Sequence, residues 1–288
     1  MKTKTLRSLR LCVRLLLCVS AVLLFAAAPG YAMTEEAAHQ KFIYPVVRVT
    51  TNQTGGSGTV IYSKGGSTYV LTNHHVIQAA VKIEEEWNPA LAKMVKKEKR
   101  AIVYVEVFQY RNLSTPVGTL KVEAEIELYN KTEDLALVKL RSDDDLRYVA
   151  PLRPRDAIDE VHVMERTVAV GCSLLFPPLP TPGILTRLNF QIDSLPYHMS
   201  SSQIIYGNSG GAMFLAGTGE LIGVPSLVPV VGWGTPVTHM GLFIPVERIY
   251  DWLEREGYEF LYDPEKTEQE CLDAREKRIE QEKKNGGK

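Results

Sequence analysis

Cysteine is scarce in this chain, with four in 288 residues, which excludes a small disulfide-stapled scaffold. Basic residues do not outnumber acidic ones. The 33 Lys and Arg stand against 34 Asp and Glu, so the positive surplus of a general nucleic-acid binder is absent. Beyond the first 32 residues no apolar run is long enough to cross a bilayer. No internal repeat is visible, and 45% hydrophobic residues exclude a disordered chain. These exclusions leave a globular protein with room for one large domain or two small ones.

Composition is uneven at the N-terminus. Residues 1–32 carry Lys2, Lys4, Arg7, Arg10 and Arg14 and no acid, and an apolar stretch from Leu15 to Ala28 leads to Pro29-Gly30-Tyr31-Ala32. A basic start, a short apolar core and small residues at a cut site are the layout of a secretory signal. We expect cleavage after Ala32 and export to a periplasmic or extracellular compartment. An uncleaved signal would instead anchor the protein in a membrane. The cut removes five positive charges, leaving 28 basic and 34 acidic residues and a net charge of −6. Cys12 and Cys18 leave with it. Cys172 and Cys271 remain, either bridged in an oxidising compartment or free, as a buried Cys172 and an exposed Cys271.

Short segments rich in β-branched and aromatic residues predict strands at Val46–Thr50, Thr59–Tyr62, Tyr69–Thr72, Ile102–Phe108 and Leu135–Leu140. Thr167–Val170, Ile184–Phe190, Ala212–Leu215 and Leu221–Val224 extend the pattern. Many short strands divided by glycine turns predict a sandwich or barrel. Helices are few. Asn88-Pro89 reads as the cap and first turn of a helix through Arg100, within an insertion over residues 82–100. Ile249, Trp252 and Leu253 predict a helix from Val246 to Glu256. A charged tail from Asp263 reads as a solvated or frayed helix, with a partner contact as the alternative. Ser142 to Glu160, with its acids and prolines, reads as a linker between two sets of strands.

Three stretches carry chemistry: Leu71-Thr72-Asn73-His74-His75-Val76, Asp134-Leu135-Ala136-Leu137-Val138 and Gly207-Asn208-Ser209-Gly210-Gly211. They supply a base, an acid and a nucleophile. A serine hydroxyl needs a His to take its proton, and the His needs a carboxylate to fix its tautomer and stabilise its cation. Glycines around Ser209 permit a tight turn that aims the amides of Gly207 and Ser209 at an oxyanion. Gly207-x-Ser209-x-Gly211 also fits the nucleophile elbow of α/β-hydrolases. That fold requires the order Ser, acid, His and a helix after the Ser. Here Ala212–Val224 reads as strand, turn, strand, so the elbow is set aside.

The order His75, Asp134, Ser209 resembles the chymotrypsin-fold proteases. Within them the chain is most similar to the protease domain of the HtrA (DegP-like) family. The matching pieces include Gly56-Ser57-Gly58-Thr59-Val60-Ile61, Tyr206-Gly207-Asn208-Ser209-Gly210-Gly211, Gly219-Glu220-Leu221-Ile222-Gly223 and Gly241-Leu242-Phe243-Ile244-Pro245. The resemblance spans about residues 41–256. It implies two six-stranded barrels, over about 41–141 and 161–245; with the helical insertion, which departs from the family, and a C-terminal helix and charged tail at 257–288, the expected fold is all-β with peripheral helices.

By the same resemblance His75, Asp134 and Ser209 are the catalytic residues of a serine endopeptidase, and Gly207 and Ser209 form the oxyanion hole. The base directly precedes Val76 in the family, which favours His75 over His74. The primary specificity pocket is expected between Ser202-Gln203 and Val224-Pro225-Ser226. Nothing charged stands there, so cleavage after small or medium apolar residues is expected. Asn208 stands where trypsin-like zymogens carry the Asp that pairs with a new N-terminus, so no such switch is expected. The 32 residues after Glu256 are too few for a PDZ domain. Protein or peptide substrates are the expected partners. No cofactor, metal or nucleic acid is implied, and membrane contact is expected only through an uncleaved signal or the basic insertion. A catalytically silent, protease-like binding or chaperone module is the alternative.

Overall fold

The structure is a computed structural model that describes residues 33–286; the signal expected over residues 1–32 lies outside the described residues. A short helix α1 (Glu35–Ala38) leads into β1 (Val46–Thr50), β2 (Gly55–Lys64) and β3 (Ser67–Thr72). A one-turn helix α2 (His74–Ile77) and a ribbon of β4 (Val81–Asn88) and β5 (Lys93–Arg100) follow. The chain then continues through β6 (Val103–Arg111), β7 (Thr115–Asn130) and β8 (Leu135–Leu140). Strands β1-β2-β3-β8-β7-β6 close a barrel in that order. Period-two alternation turns Val47, Val49, Val60, Val70, Val103, Val105, Ile126 and Val138 into its core. Each such side chain contributes about 1.5–3 kcal/mol on burial.

The second half repeats the plan. Strands β9 (Arg166–Gly171), β10 (Leu179–Ile192), β11 (Leu195–Ser200), β12 (Ala212–Leu215) and β13 (Leu221–Leu227) precede a small pair, β14 (Val230–Val231) and β15 (Thr235–Pro236). Strand β16 (Gly241–Pro245) completes a closed barrel in the order β10-β11-β16-β13-β12-β9. Ala169, Leu185, Met213, Leu215, Ile222 and Phe243 fill it. Helices α3 (Val246–Glu256) and α4 (Glu268–Gly286) follow. Between the barrels the connecting segment is pinned to both. Ala150 N–H donates to Val60 O at 2.8 Å, and Leu221 N–H donates to Pro151 O at 2.8 Å.

The insertion departs from expectation: residues 81–100 form the β4–β5 ribbon and not a helix. Asn88 Oδ1 accepts the N–H groups of Ala90 (3.0 Å) and Leu91 (3.1 Å), closing a turn where a helix cap was expected. Its acidic strand faces its basic one, with Lys97–Glu86 at 2.9 Å and Lys99–Glu84 at 2.6 Å. In the ribbon's register Glu84 stands opposite Lys97 and Glu85 opposite Lys96, pairs that a single helix over residues 82–100 would hold far apart.

The tail also differs from a purely solvated helix, because its first turn is anchored. Thr267 and Glu270 form a capping box, with Glu270 N–H donating to Thr267 Oγ1 and Thr267 N–H to Glu270 Oε2. Glu268 Oε1 accepts from Tyr69 Oη and Lys139 Nζ, both at 2.6 Å, and Phe260 packs edge-on against Tyr62 and Tyr69. Cys172 and Cys271 are both free and both buried, so Cys271 is not the exposed thiol expected.

Burial pushes the Glu268 carboxyl up, but hydrogen bonds from Lys139, Tyr69 and Ser67 outweigh it and hold the group below its usual range. Its contribution is therefore present above the ordinary carboxylate range and lost as pH falls through that carboxyl's lowered pKa. Glu268→Ala leaves the fully buried Tyr69 hydroxyl without its acceptor. We expect a loss of about 1–3 kcal/mol, read as a lower urea midpoint at pH 7. The deficit should shrink in acid, where the wild type loses the same contact.

Candidate active site

Strand β3 ends at Thr72, and Asn73, extended at φ −88° and ψ 150°, turns the chain into α2. This places two histidines in one turn with different surroundings. His75 Nδ1 lies 2.9 Å from Asp134 Oδ2 and 3.0 Å from Oδ1, and its backbone N–H donates to Oδ1 at 3.1 Å. His74 is buried, with its ring 5.1 Å from that of Tyr129. Burial lowers its pKa. The residue bonded through its ring to Asp134 is thus His75.

Asp134 opens β8 in the left-handed region, at φ +54°, which Asp tolerates better than most residues. Its carbonyl accepts from Asn73 Nδ2 at 2.8 Å and His74 N–H at 3.3 Å. Its carboxylate takes a further bond from Ser226 Oγ at 2.7 Å. Burial pushes this carboxyl up, but His75, Ser226 and the His75 backbone N–H together hold it below its usual range. It is therefore an anion at neutral pH, facing Nδ1. The other ring nitrogen of His75 is left for chemistry.

The turn that carries Ser209 is fixed by its backbone. Gly207 has φ +98° and Gly210 φ +83°, left-handed conformations that a side chain would strain. Leu174 N–H donates to Tyr206 O at 2.7 Å. In a trans peptide the following N–H points the opposite way, so the Gly207 amide is turned away from Leu174. Ser57 Oγ donates to Gly207 O at 2.6 Å and accepts from Cys172 N–H at 2.7 Å. Ser57 N–H donates to Ser209 O at 2.8 Å. Among the described residues neither the Gly207 nor the Ser209 amide donates to a protein acceptor.

Gly56 lets the two halves approach: a Cβ there would stand 2.9 Å from Ser209 O and 2.7 Å from Val76 Cγ2. The serine turn therefore packs beside the His75 helix. Among the described residues no hydrogen bond joins Ser209 to His75; in unliganded sites that contact is often long. Asn208 is buried, and its Oδ1 accepts from Ser173 Oγ at 2.7 Å and Ile205 N–H at 3.3 Å. Its side chain is held by neutral donors.

The residues expected to wall the specificity pocket fall into three environments. Ser202 is buried and bonded to Thr167 Oγ1 at 2.8 Å, while Gln203 is exposed. Val224 and Pro225 are buried, and Pro225 O accepts from Gly210 N–H at 3.1 Å. The Ser226 hydroxyl is directed at Asp134. A cleft of about 590 Å³ adjoins His75 and Asp134, lined also by Thr132, Ile192, Tyr197 and Leu227. A larger cavity of about 740 Å³, between Val149–Arg155 and Tyr250–Pro264, includes none of His75, Asp134 and Ser209 in its lining. Among the described residues no cluster of three His, Cys, Asp or Glu could hold a metal, and no helix is long and apolar enough to cross a membrane.

Ser57, Asn73 and the bond from Ser226 to Asp134 were not assigned roles from sequence. Ser57 lies in the quoted Gly56-Ser57-Gly58 stretch, but its partners at Gly207 and Cys172 are 150 and 115 residues away.

Residues 56–224 match the trypsin-like peptidase domain. The serine protease Do-like HtrA of Lactococcus lactis subsp. cremoris (strain MG1363) is 28% identical over 218 residues, covering 70% of this chain and 45% of that protein. A probable periplasmic serine endoprotease DegP-like of Marinomonas sp. (strain MWYL1) is 28% identical over 60% of this chain and 29% of its own length. The chain thus spans about half the length, or less, of the curated relatives it matches. Among solved structures, the HtrA-type protease AlgW with a tripeptide superposes with a TM-score of 0.57 at 19% identity, over 79% of this chain and 64% of that one. The match at 56–224 takes in His75, Asp134 and Ser209 and covers more than half of the chain, which therefore belongs to the trypsin-like peptidase family, on a chymotrypsin fold of the HtrA type.

Proposed function

We propose that this chain is an exported serine endopeptidase that cleaves protein substrates through an acyl-enzyme. The observation that carries the reading is the bond from His75 Nδ1 to an Asp134 carboxylate held by Ser226, with the Ser209 turn packed beside the same helix. Ser209 Oγ attacks the scissile carbonyl carbon as His75 Nε2 takes its proton. The oxyanion is stabilised by the Gly207 and Ser209 amides. The intermediate collapses with the amine leaving on the His75 proton, and water then repeats the sequence on the ester, with His75 again as base. Asp134 stays ionised and holds His75 in the tautomer that can accept at Nε2.

The test is a fluorophosphonate label. Only an activated serine with a formed oxyanion hole reacts quickly, so the intact protein should label once, at Ser209, and Ser209→Ala should not label. Failure of wild-type protein to label, together with no cleavage of unfolded protein, would leave a binding module.

The buried Val224 and Pro225 and the uncharged Ser202 and Gln203 support a preference for small or medium apolar residues at the cleaved position. A cationic side chain would lose hydration there without gaining a partner. Peptide-library profiling should return Ala, Val or similar residues; a majority of Lys or Arg would overturn the assignment. Export rests on the expected signal, and N-terminal sequencing of secreted protein should begin at Met33.

A further inference from the structure

We infer that Arg248 is a positioning residue for the triad acid: the Glu133–Arg248 pair holds the loop that presents Asp134 to His75. The inference rests on the proposed protease reading. Arg248 lies on α3, after the last strand of the second barrel, and is only 7% exposed. Its Nε and Nη2 donate to Glu133 Oε2 at 3.0 and 2.8 Å, and Nη2 also donates to the Glu133 carbonyl at 3.1 Å. Arg248 Nη1 donates to Pro196 O at 3.3 Å, and the guanidinium lies 5.0 Å from the Tyr197 ring centroid. Arg255 adds a bond to Glu133 Oε1 at 3.0 Å. The Glu133 backbone N–H donates to Asn130 Oδ1 at 2.9 Å.

Side chain, carbonyl and amide of Glu133 are thus all held, and the next residue is Asp134 in its left-handed conformation. A strained residue persists only where its surroundings over-determine it. On one side of Asp134 the constraint comes from Asn73 and His74 in the first barrel; on the other it comes from Arg248 in the second half of the chain. An arginine suits this role because its planar fork reaches a carboxylate and a carbonyl together, which lysine cannot reproduce. Released, the loop would let the carboxylate drift from Nδ1, and a misplacement of about 1 Å is enough to cost about 10²-fold.

The experiment uses the full chain with Arg248→Met, Arg248→Lys and Glu133→Gln, beside Glu220→Gln. The last removes a comparable ion pair, Arg153–Glu220 at 2.6 Å, in which Glu220 is bonded to Arg153 and Thr218 and not to Glu133 or Asp134. Two readouts are taken: the rate of fluorophosphonate labelling at Ser209, and the downfield Nδ1–H proton resonance of His75, which reports its bond to Asp134. We expect labelling to slow by about 10–10²-fold in Arg248→Met, to recover partly in Arg248→Lys, and the His75 resonance to broaden or move upfield. Glu220→Gln should lose stability without either change. If Arg248→Met fails to fold, Glu133→Gln, which keeps the shape of the carboxylate, decides by the same two readouts. Wild-type labelling rates and an unmoved His75 resonance in a folded variant overturn the inference. If wild-type protein does not label at all, the protease reading fails, and the resonance alone still decides whether the clamp holds Asp134.

Discussion

Ser209→Ala is expected to lower turnover of a peptide substrate by about 10⁶-fold, by analogy with another triad protease, while leaving the fold intact. The reasons are separable in the structure. The turn is held through backbone atoms: Ser209 O accepts from Ser57 N–H at 2.8 Å, Gly210 N–H donates to Pro225 O and Gly211 N–H to Asn208 O. The Ser209 hydroxyl makes no hydrogen bond among the described residues, so its removal strands no buried partner. The unfolding free energy should therefore stay within about 0.5 kcal/mol of wild type. Removing Oγ deletes the only atom that can form the ester. What survives is binding and the oxyanion amides, which act only if another nucleophile enters. Turnover of the purified variant on an apolar peptide, measured beside its urea midpoint, checks both halves. A rate within tenfold of wild type would show that hydrolysis does not pass through Ser209.

The pairing of His75 with Asp134 and the glycine turn at Ser209 were legible in the sequence because each motif is local. His75 follows a strand end, Asp134 opens a strand, and Ser209 sits among glycines whose positive φ only a turn requires. Strands β1, β8 and β12 match their expected bounds for a similar reason, since continuous runs such as Val46-Val47-Arg48-Val49-Thr50 have one way to bury. Strand β7 is less evident: its signal is a strict alternation of Glu123, Glu125 and Glu127 with Ala124, Ile126 and Leu128, easily taken for a charged loop. The β4–β5 ribbon was misread because Asn-Pro signals a helix start and a turn equally well. The choice between them lies in the pairing of the acidic run at 84–86 with the basic run at 96–99 across the turn. The remainder is long-range. Ser57 to Gly207, Ser226 to Asp134, Arg248 to Glu133 and Glu268 to Tyr69 join residues 92 to 199 apart. Nothing in the spacing of one sequence identifies such pairs.

The acid gives the second large effect: Asp134→Asn should lower kcat by about 10⁴-fold at neutral pH, and the hydrogen bonds of the site say why so small a change is costly. Three donors converge on the carboxylate: the His75 backbone N–H on Oδ1, Ser226 Oγ on Oδ2, and Nδ1–H of the His75 ring between them. A carboxylate accepts all three. An amide has one acceptor oxygen and an NH₂ group. If that oxygen keeps the fixed His75 backbone N–H, the NH₂ stands where Oδ2 was, opposite Nδ1. The Ser226 hydroxyl can rotate to accept, so it does not resist. Imidazole then meets a donor at Nδ1 and must turn its lone pair there, which moves its own proton to Nε2. The nitrogen facing the nucleophile becomes a donor and can no longer take the Ser209 proton. The stabilising anion for the imidazolium is lost in the same step. Because the packing is unchanged, the fall should lie mainly in kcat, with KM for a peptide held within a few fold, and fluorophosphonate labelling should slow in parallel. A variant that kept kcat within tenfold would mean that His75 is held in its reactive tautomer by something other than Asp134.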